Sequence, residues 1–297
     1  MDISSSFCAA CGTPECDDIT LKKCTACKSV RYCGVKCQKN HRPQHKRACK
    51  KRVAELRDEL LFKQPESTHL GDCPICMIPL PLGPQTSTMM TCCSKVICDG
   101  CAHANQIREM NPLDEKCPFC RNPAPTKEEA EENIMKRIEA NDPVAMRAQG
   151  VKCHNKGDYN SACEYFTKAA KLGDIEAHYT LACCYALGHG VEKDEKKGIF
   201  HNEEAAIGGN PDARFVLGLD EKINGRIERA IKHWIIAANL GYDASIQMLR
   251  EWYAEGAISK ENFAVALRAH QAAVDATKSP QREVAEEYYR SQGQNRC

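Results

Sequence analysis

Cysteine spacing is the feature of this 297-residue sequence that can do chemistry: of 21 cysteines, sixteen fall between Cys8 and Cys120. Cys8-x-x-Cys11 and Cys24-x-x-Cys27 are pairs that can grip one tetrahedral ion from a tight turn. Cys33-x-x-x-Cys37 and His45-x-x-x-Cys49 are pairs four apart, which can do the same from one face of a helix. These four pairs make two four-ligand sites. A second run opens with Cys73-Pro74-Ile75-Cys76, closes with Cys117-Pro118-Phe119-Cys120, and holds Cys92, Cys93, Cys98 and Cys101 between them. A disulfide framework is the competing use of so many cysteines, but Cys-x-x-Cys pairs in a reducing compartment favour metal. Zinc with four protein ligands has no open position for water or substrate, so the chemistry expected here is structural. A segment of ~40 residues has too little core to fold alone, and metal must supply the stability.

Some ligand choices stay open on spacing. His41 lies four residues before His45 and could compete with it, although His45 alone gives the His-x-x-x-Cys pair. Cys16 reads as a free thiol between pairs. In the second run the adjacent Cys92 and Cys93 are unusual, and His103 could replace one of them. A single-zinc second region ranks lower, because it leaves four thiols without a role.

Composition bounds the rest. The formal net charge is +1, which is neither a polyanion nor a general nucleic-acid binder. The first 52 residues are basic, with 12 Lys or Arg against 4 Asp or Glu. This excess reads as a solvated face balancing thiolate charge rather than a nucleic-acid surface, since few aromatics accompany it to stack on bases. The start, Met1 to Phe7, has neither a basic region nor an apolar stretch, and no run approaches the ~18 apolar residues of a membrane span. The expected location is cytoplasmic or nuclear. There is no Gly-rich phosphate loop, no HExxH and no nucleophile elbow. His154, His178, His201 and His233 lack metal spacing, and Cys163, Cys183 and Cys184 read as small core residues.

The elements that must position these residues can be read around them. Arg52–Phe62 reads as a short helix, followed by a polar linker over 63–72. Pro79, Pro81 and Pro84 punctuate the second cysteine region, where Thr88–Thr91 and Val96–Ile97 predict a hairpin around Cys92 and Cys93. Thr126 opens a helix with Glu129 three residues on, a capping box, and Asn141-Asp142-Pro143 starts the next unit. Beyond it a pattern recurs: Ala169-Ala170-x-x-Gly173-x-x-x-Ala177-x-x-x-Leu181, then Ala205-Ala206 to Leu217, then Ala237-Ala238 to Leu249 with Ser245 in the second small position. The offsets of 36 and 32 residues indicate stacked helix pairs, each first helix ending at its Gly. Asn210-Pro211 supplies an N-cap and a first-turn Pro. Ser259–Ala276 and a helix capped by Ser279-Pro280 are expected to close the end of the stack.

Three resemblances follow from these motifs. Residues 8–49 resemble the MYND zinc finger in ligand spacing and in Tyr32-Cys33, Cys37-Gln38 and His45-Lys46, with Arg42 where the family usually has Trp. That resemblance implies interleaved sites, with Cys8, Cys11, Cys33 and Cys37 on one zinc and Cys24, Cys27, His45 and Cys49 on the other. It also implies protein partners that present short proline-containing segments. Residues 73–121 resemble an all-cysteine RING finger. Cross-braced ligation would put Cys73, Cys76, Cys98 and Cys101 on one ion and Cys92, Cys93, Cys117 and Cys120 on the other. In active RING members an apolar residue in the first pair, a Pro in the last pair and a cation directly after it meet the ubiquitin-conjugating enzyme and ubiquitin. Ile75, Pro118 and Arg121 occupy those positions, while Asn105 stands where many active members have a large apolar residue. Roughly residues 141–255 resemble Sel-like repeats, a branch of the tetratricopeptide-like solenoids, with Gly188-His189-Gly190-Val191 fitting their Gly-rich turn, within a repeat domain expected over 141–290 that includes C-terminal capping helices.

The expected fold is thus two small zinc-stabilised modules followed by an all-α helical-repeat solenoid, with four structural zinc ions. Two functions fit: an adaptor whose modules each hold a protein, or a RING-type ubiquitin ligase whose remaining modules select the substrate.

Overall fold

The computed structural model describes residues 7–83, 86–108 and 115–292; the sequence start before Phe7, Pro84 and Cys297 lie outside the described residues. The chain divides into two compact units, Met1–Lys63 and Gln64–Cys297.

In the first unit, β1 (Lys22–Lys23) pairs antiparallel with β2 (Arg31–Tyr32), setting Lys22 opposite Tyr32. The buried cluster consists of Cys8, Leu21, Cys24, Cys27 and Tyr32. Most of that core is cysteine, so burial of apolar surface contributes little and another tie is needed. Helix α1 (Val35–Leu61) follows. The short helix expected over Arg52–Phe62 is the end of this single 27-residue run. Pro43 lies inside it and gives up one ladder bond. The helix continues because Gln44 to Leu60 contain neither Gly nor Pro, and Arg52 ties its last turns through Glu55 at 3.2 Å and Glu59 at 2.8 Å.

The second unit begins with a hairpin, β3 (Ser87–Met90) against β4 (Lys95–Cys98), in the register Ser87 with Cys98 and Met90 with Lys95. Helix α2 (Asp99–Arg108) follows directly. Cys73, Leu80, Ile97, Cys98, Cys101 and Ala102 form the small core beneath. Helix α3 (Lys127–Glu139) carries the Thr126–Glu129 capping box in both directions.

Then come paired helices: α4 (Pro143–Asn155) with α5 (Tyr159–Lys171), α6 (Ile175–Leu187) with α7 (Glu195–Ile207), and α8 (Pro211–Ile223) with α9 (Ile227–Asn239). α10 (Asp243–Ala254) and α11 (Lys260–Ala276) pack on α9. The repeated alanines are fully enclosed, including Ala169, Ala177, Ala205, Ala213 and Ala237, so neighbouring backbones approach closely, and Phe166, Leu181, Trp234 and Leu249 fill the space between. Asn210 caps α8 by accepting from the Ala213 N–H at 2.8 Å. The last helix, α12 (Pro280–Ser291), departs from expectation. It does not close the stack but packs against α2 of the second cysteine region, with Ala285 fully buried. Gly100 makes this possible, because a Cβ there would meet Arg282 Cγ and Arg282 N at 2.9 Å.

Candidate metal centres

Four of the five Cys-x-x-Cys pairs are built the same way, the fifth, Cys98 to Cys101, running from β4 into α2. The first cysteine donates its N–H to a carbonyl just past the second: Cys8 to Thr13 at 2.8 Å, Cys24 to Val30 at 2.8 Å, Cys73 to Ile78 at 2.9 Å and Cys117 to Asn122 at 2.8 Å. The residue directly after the second cysteine donates back to the first cysteine's carbonyl and is left-handed: Gly12 at φ +73°, Lys28 at +58°, Met77 at +56° and Arg121 at +60°. Glycine at position 12 was the one visible trace of this turn in the sequence. The turn folds both sulfurs to one side and points its backbone N–H groups at them, as the hydrogen bonds from the Ala10 and Cys11 backbone to the Cys8 sulfur illustrate; Cys73 Sγ also accepts from Cys98 N of β4 at 3.4 Å.

Four donor sets result: Cys8, Cys11, Cys33 and Cys37; Cys24, Cys27, His45 and Cys49; Cys73, Cys76, Cys98 and Cys101; Cys92, Cys93, Cys117 and Cys120. Within each set the ligand atoms all lie within 4.8 Å of one another. Cys11 and Cys33 sulfurs are 3.6 Å apart, Cys24 and Cys49 3.9 Å, Cys76 and Cys98 3.8 Å, and Cys93 and Cys117 3.8 Å. A Zn–S bond of ~2.3 Å in a tetrahedron puts sulfurs ~3.8 Å apart, whereas a disulfide needs ~2.05 Å. The donor sets therefore fit zinc, and the sulfurs are free thiols.

Electrostatics point the same way. Burial pushes the Cys8 thiol up, but backbone hydrogen bonds at Cys33, Ala10 and Cys11 outweigh it and bring it down to about 6. In the same set the hydrogen bond to Cys37 drives Cys33 up to about 12. Cys73, buried yet held by backbone hydrogen bonds at Cys76, Cys98 and Ile75, comes down to about 7, while burial first and neighbouring thiols next push Cys101 upward. Four sulfurs this close cannot all be thiolates unless a cation sits among them.

The open ligand choices have geometric answers. His45 Nε2 lies 3.2 Å from Cys27 Sγ, whereas His41 turns away to hydrogen-bond Tyr32 Oη through Nδ1 at 3.1 Å. Cys92 and Cys93 both join one set because they sit in the tight turn between β3 and β4, where Ser94 is left-handed at φ +55° and donates to Met90 O at 2.7 Å. In a strand, adjacent side chains would face opposite ways. Cys92 reaches Cys120 at 3.2 Å. His103 instead packs its ring on Tyr288, centroids 4.5 Å apart. Cys16 stays exposed outside the sets. Ile75 is 42% exposed, Pro118 half-buried and Arg121 exposed. Asn105 Nδ2 donates to Lys116 O at 3.0 Å.

Two features of the second unit had no signal in local spacing. The segment before Cys73 is stitched to the repeats: His69 N donates to Gly209 O at 3.1 Å, His69 Nε2 meets Glu176 Oε2 at 2.8 Å, and Asn239 Nδ2 donates to Gln64 Oε1 at 3.0 Å. Arg282, far along the chain, reaches Cys76 Sγ at 3.6 Å.

Residues 8–49 match the MYND finger, and residues 145–174, 175–210 and 218–242 match the Sel1 repeat. The chain carries a MYND finger and Sel1 repeats. It is a zinc-binding, cysteine-rich N-terminal region followed by helical repeats. No RING family matches the second cysteine region. Among curated proteins, chitin synthase regulatory factor 4 of Schizosaccharomyces pombe is 34% identical over 86 residues, 29% of this chain and 14% of that protein. The chain thus spans about a seventh of that relative's length. Among solved structures, a Sel1 repeat protein from Oxalobacter formigenes is 24% identical, with 55% of this chain and 79% of that one covered at a TM-score of 0.44. A protective antigen of uropathogenic Escherichia coli displaying an SLR fold is 20% identical, with 65% and 41% covered at a TM-score of 0.39. Among the described residues, no helix is long and apolar enough to cross a membrane.

Proposed function

We propose that this chain is a protein-interaction adaptor in which four zinc ions, one per donor set, hold two cross-braced modules ahead of a Sel1-repeat stack. The observation that carries the reading is the closure of each set. Four protein donors at tetrahedral separations leave no coordination position for a reacting molecule, so zinc fixes shape and the surfaces do the work. The MYND finger, residues 8–49, is read as the holder of proline-containing segments, residues 73–121 as a second zinc module, and the repeats over 141–290 as a further protein-binding surface. A regulatory factor among the relatives, over a short shared stretch, is in keeping with such a role. Zinc thiolates of this kind suit the reducing cytoplasm or nucleus. Elemental analysis of the purified full chain tests the zinc content, with about four ions per chain expected. Two or fewer would refute the double cross-brace.

The second reading, a RING-type ubiquitin ligase, is favoured by one specific arrangement. Ile75, Pro118 and Arg121, where conjugating-enzyme contacts fall in active RING members, all reach the surface of the second module. Such a ligase has no nucleophile and acts by positioning a charged conjugating enzyme. An in vitro ubiquitination reaction with the full chain, Ile75→Ala and Arg121→Ala decides it. Chain formation lost in both variants at unchanged zinc content supports a ligase; inactivity of the parent chain with a full panel of conjugating enzymes leaves the adaptor.

A further inference from the structure

The last helix brings a charge to a metal centre that its own module does not supply. Arg282 lies on the first turn of α12, some two hundred residues beyond the Cys73–Cys76 turn. Its Nη1 donates to Pro79 O at 2.7 Å and to Thr277 O at 2.5 Å. Its Nη2 donates to Ile78 O at 3.1 Å and stands 3.6 Å from Cys76 Sγ. The guanidinium therefore spans the backbone immediately after the second cysteine of the turn and touches the sulfur itself. The neighbouring helix α2, which carries Cys101, is pressed against the same residue: a side chain at Gly100 would collide with Arg282 Cγ and Arg282 N at 2.9 Å. His103, on the next turn of α2, packs on Tyr288 of α12.

We propose that Arg282 is a positioning residue for the Cys73–Cys76–Cys98–Cys101 zinc centre, so that the C-terminal helix of the repeat region completes the outer shell of the second zinc module. The proposal rests on the reading that this set holds zinc. Four thiolates around one divalent ion leave a double negative charge in a largely buried site, and a hydrogen-bonded cation beside one sulfur offsets it. Arginine suits the place because its planar fork can hold three carbonyls and a sulfur at once, which a lysine ammonium on a flexible stem cannot do in one geometry. Outer-shell partners of metal ligands fix ligand orientation, and their loss typically costs ~10–100-fold in metal affinity.

The test uses the full chain loaded with zinc, with Arg282→Met, Arg282→Lys and Tyr288→Ala. Zinc release to a chromophoric chelator and the thiolate-to-metal absorption of the cobalt-substituted chain are followed together. In Arg282→Met one zinc should leave about tenfold faster or more, with the other ions unchanged, and the cobalt charge-transfer band should shift because one thiolate has lost its donor. Arg282→Lys should restore part of the retention through its charge. Tyr288→Ala, which loosens the same helix without touching the sulfur, should stay within about twofold of the parent. Release and spectrum unchanged in Arg282→Met at full zinc content would overturn the proposal and reduce Arg282 to a helix-docking contact. Alkylation of Cys73, Cys76, Cys98 and Cys101 in the parent chain as fast as exposed Cys16 would overturn it differently, by removing the zinc on which it rests. Should the methionine variant not fold, the lysine variant alone decides, since an unchanged release rate and cobalt band there also refute it.

Discussion

Arg121→Gly should strengthen the second zinc module even though it deletes the side chain that the ligase reading uses. Arg121 stands directly after Cys120 at φ +60°, and its N–H closes the turn on Cys117 O at 3.0 Å. An L side chain held in this region costs about 1–2 kcal/mol, and glycine removes that cost. Glycine also loosens the unfolded chain by about 0.4–1 kcal/mol. The balance is a net gain of about 0.5–1 kcal/mol, or roughly a two- to fivefold lower population of the opened turn. Arg121→Ala retains Cβ and with it the strain, so it gains nothing while losing the guanidinium. The assay is the alkylation rate of Cys117 and Cys120 in the zinc-loaded chain, read by mass spectrometry. The order expected is glycine slowest, with arginine and alanine faster. A glycine variant that opens as fast as the alanine variant would refute the strain argument. The pair also sharpens the ligase test: activity lost in Arg121→Gly cannot be charged to a weakened turn.

Other substitutions probe the repeats. Gly209→Ala meets both a left-handed backbone at φ +88° and the Ser67 carbonyl oxygen at 2.7 Å. It should cost about 2–3 kcal/mol in thermal or denaturant unfolding. Gly225→Ala, at φ +73° with nothing within 4 Å, should cost only about 1–2 kcal/mol. Equal losses in the two would show that the linker contact at Gly209 adds nothing. His201 faces His178 with Nδ1 atoms 3.0 Å apart, and burial first, then the His178 charge, holds it down to about 4 from 6.5. Between those values the unfolded chain binds more protons than the folded one, so the stability His201 contributes is present above 6.5 and is lost as pH falls through about 4. His201→Gln should flatten the difference in repeat melting across that window, and an unchanged pH slope would count against the assignment.

What could be read beforehand follows from the range of the forces involved. Apart from the adjacent Cys92 and Cys93, the donor pairs are local, three or four residues apart, so chain geometry alone brings their ligand atoms together and spacing reveals them. Capping at Thr126 and Asn210 and the left-handed glycine at 209 are local as well. The long reach of α1 was hidden because Pro43 reads as a breaker, yet within an otherwise unbroken run it costs one hydrogen bond rather than the helix. Left-handed Lys28, Met77 and Arg121 were invisible for a different reason. Their residue types argue against that conformation, and the ligand turn imposes it. The docking of α12 was illegible in principle, since it depends on Gly100 and Arg282 meeting across most of the second unit, and neither residue marks a site alone.

That long-range meeting bears on how the second unit could act. His69 inserts beside Glu176 and its N–H binds Gly209 O on the entry side of the zinc module, while Arg282 holds the Cys76–Pro79 backbone on the other. The module is therefore tied to the repeats through its leading segment and through the last helix. A protein gripped by the repeats and another gripped near Ile75 and Arg121 would then be held at one fixed separation. Fixed geometry matters for both readings. Bringing two bound molecules together at set orientation is what an adaptor contributes, and in a ligase it is the source of the rate itself. Cutting the tie without cutting the chain separates the surfaces from their geometry. His69→Ala combined with Tyr288→Ala, which loosens the last helix without touching a zinc ligand, should leave each surface able to bind its own partner in single-partner binding measurements while lowering any activity that needs both at once; an unchanged joint activity would refute the fixed-geometry argument.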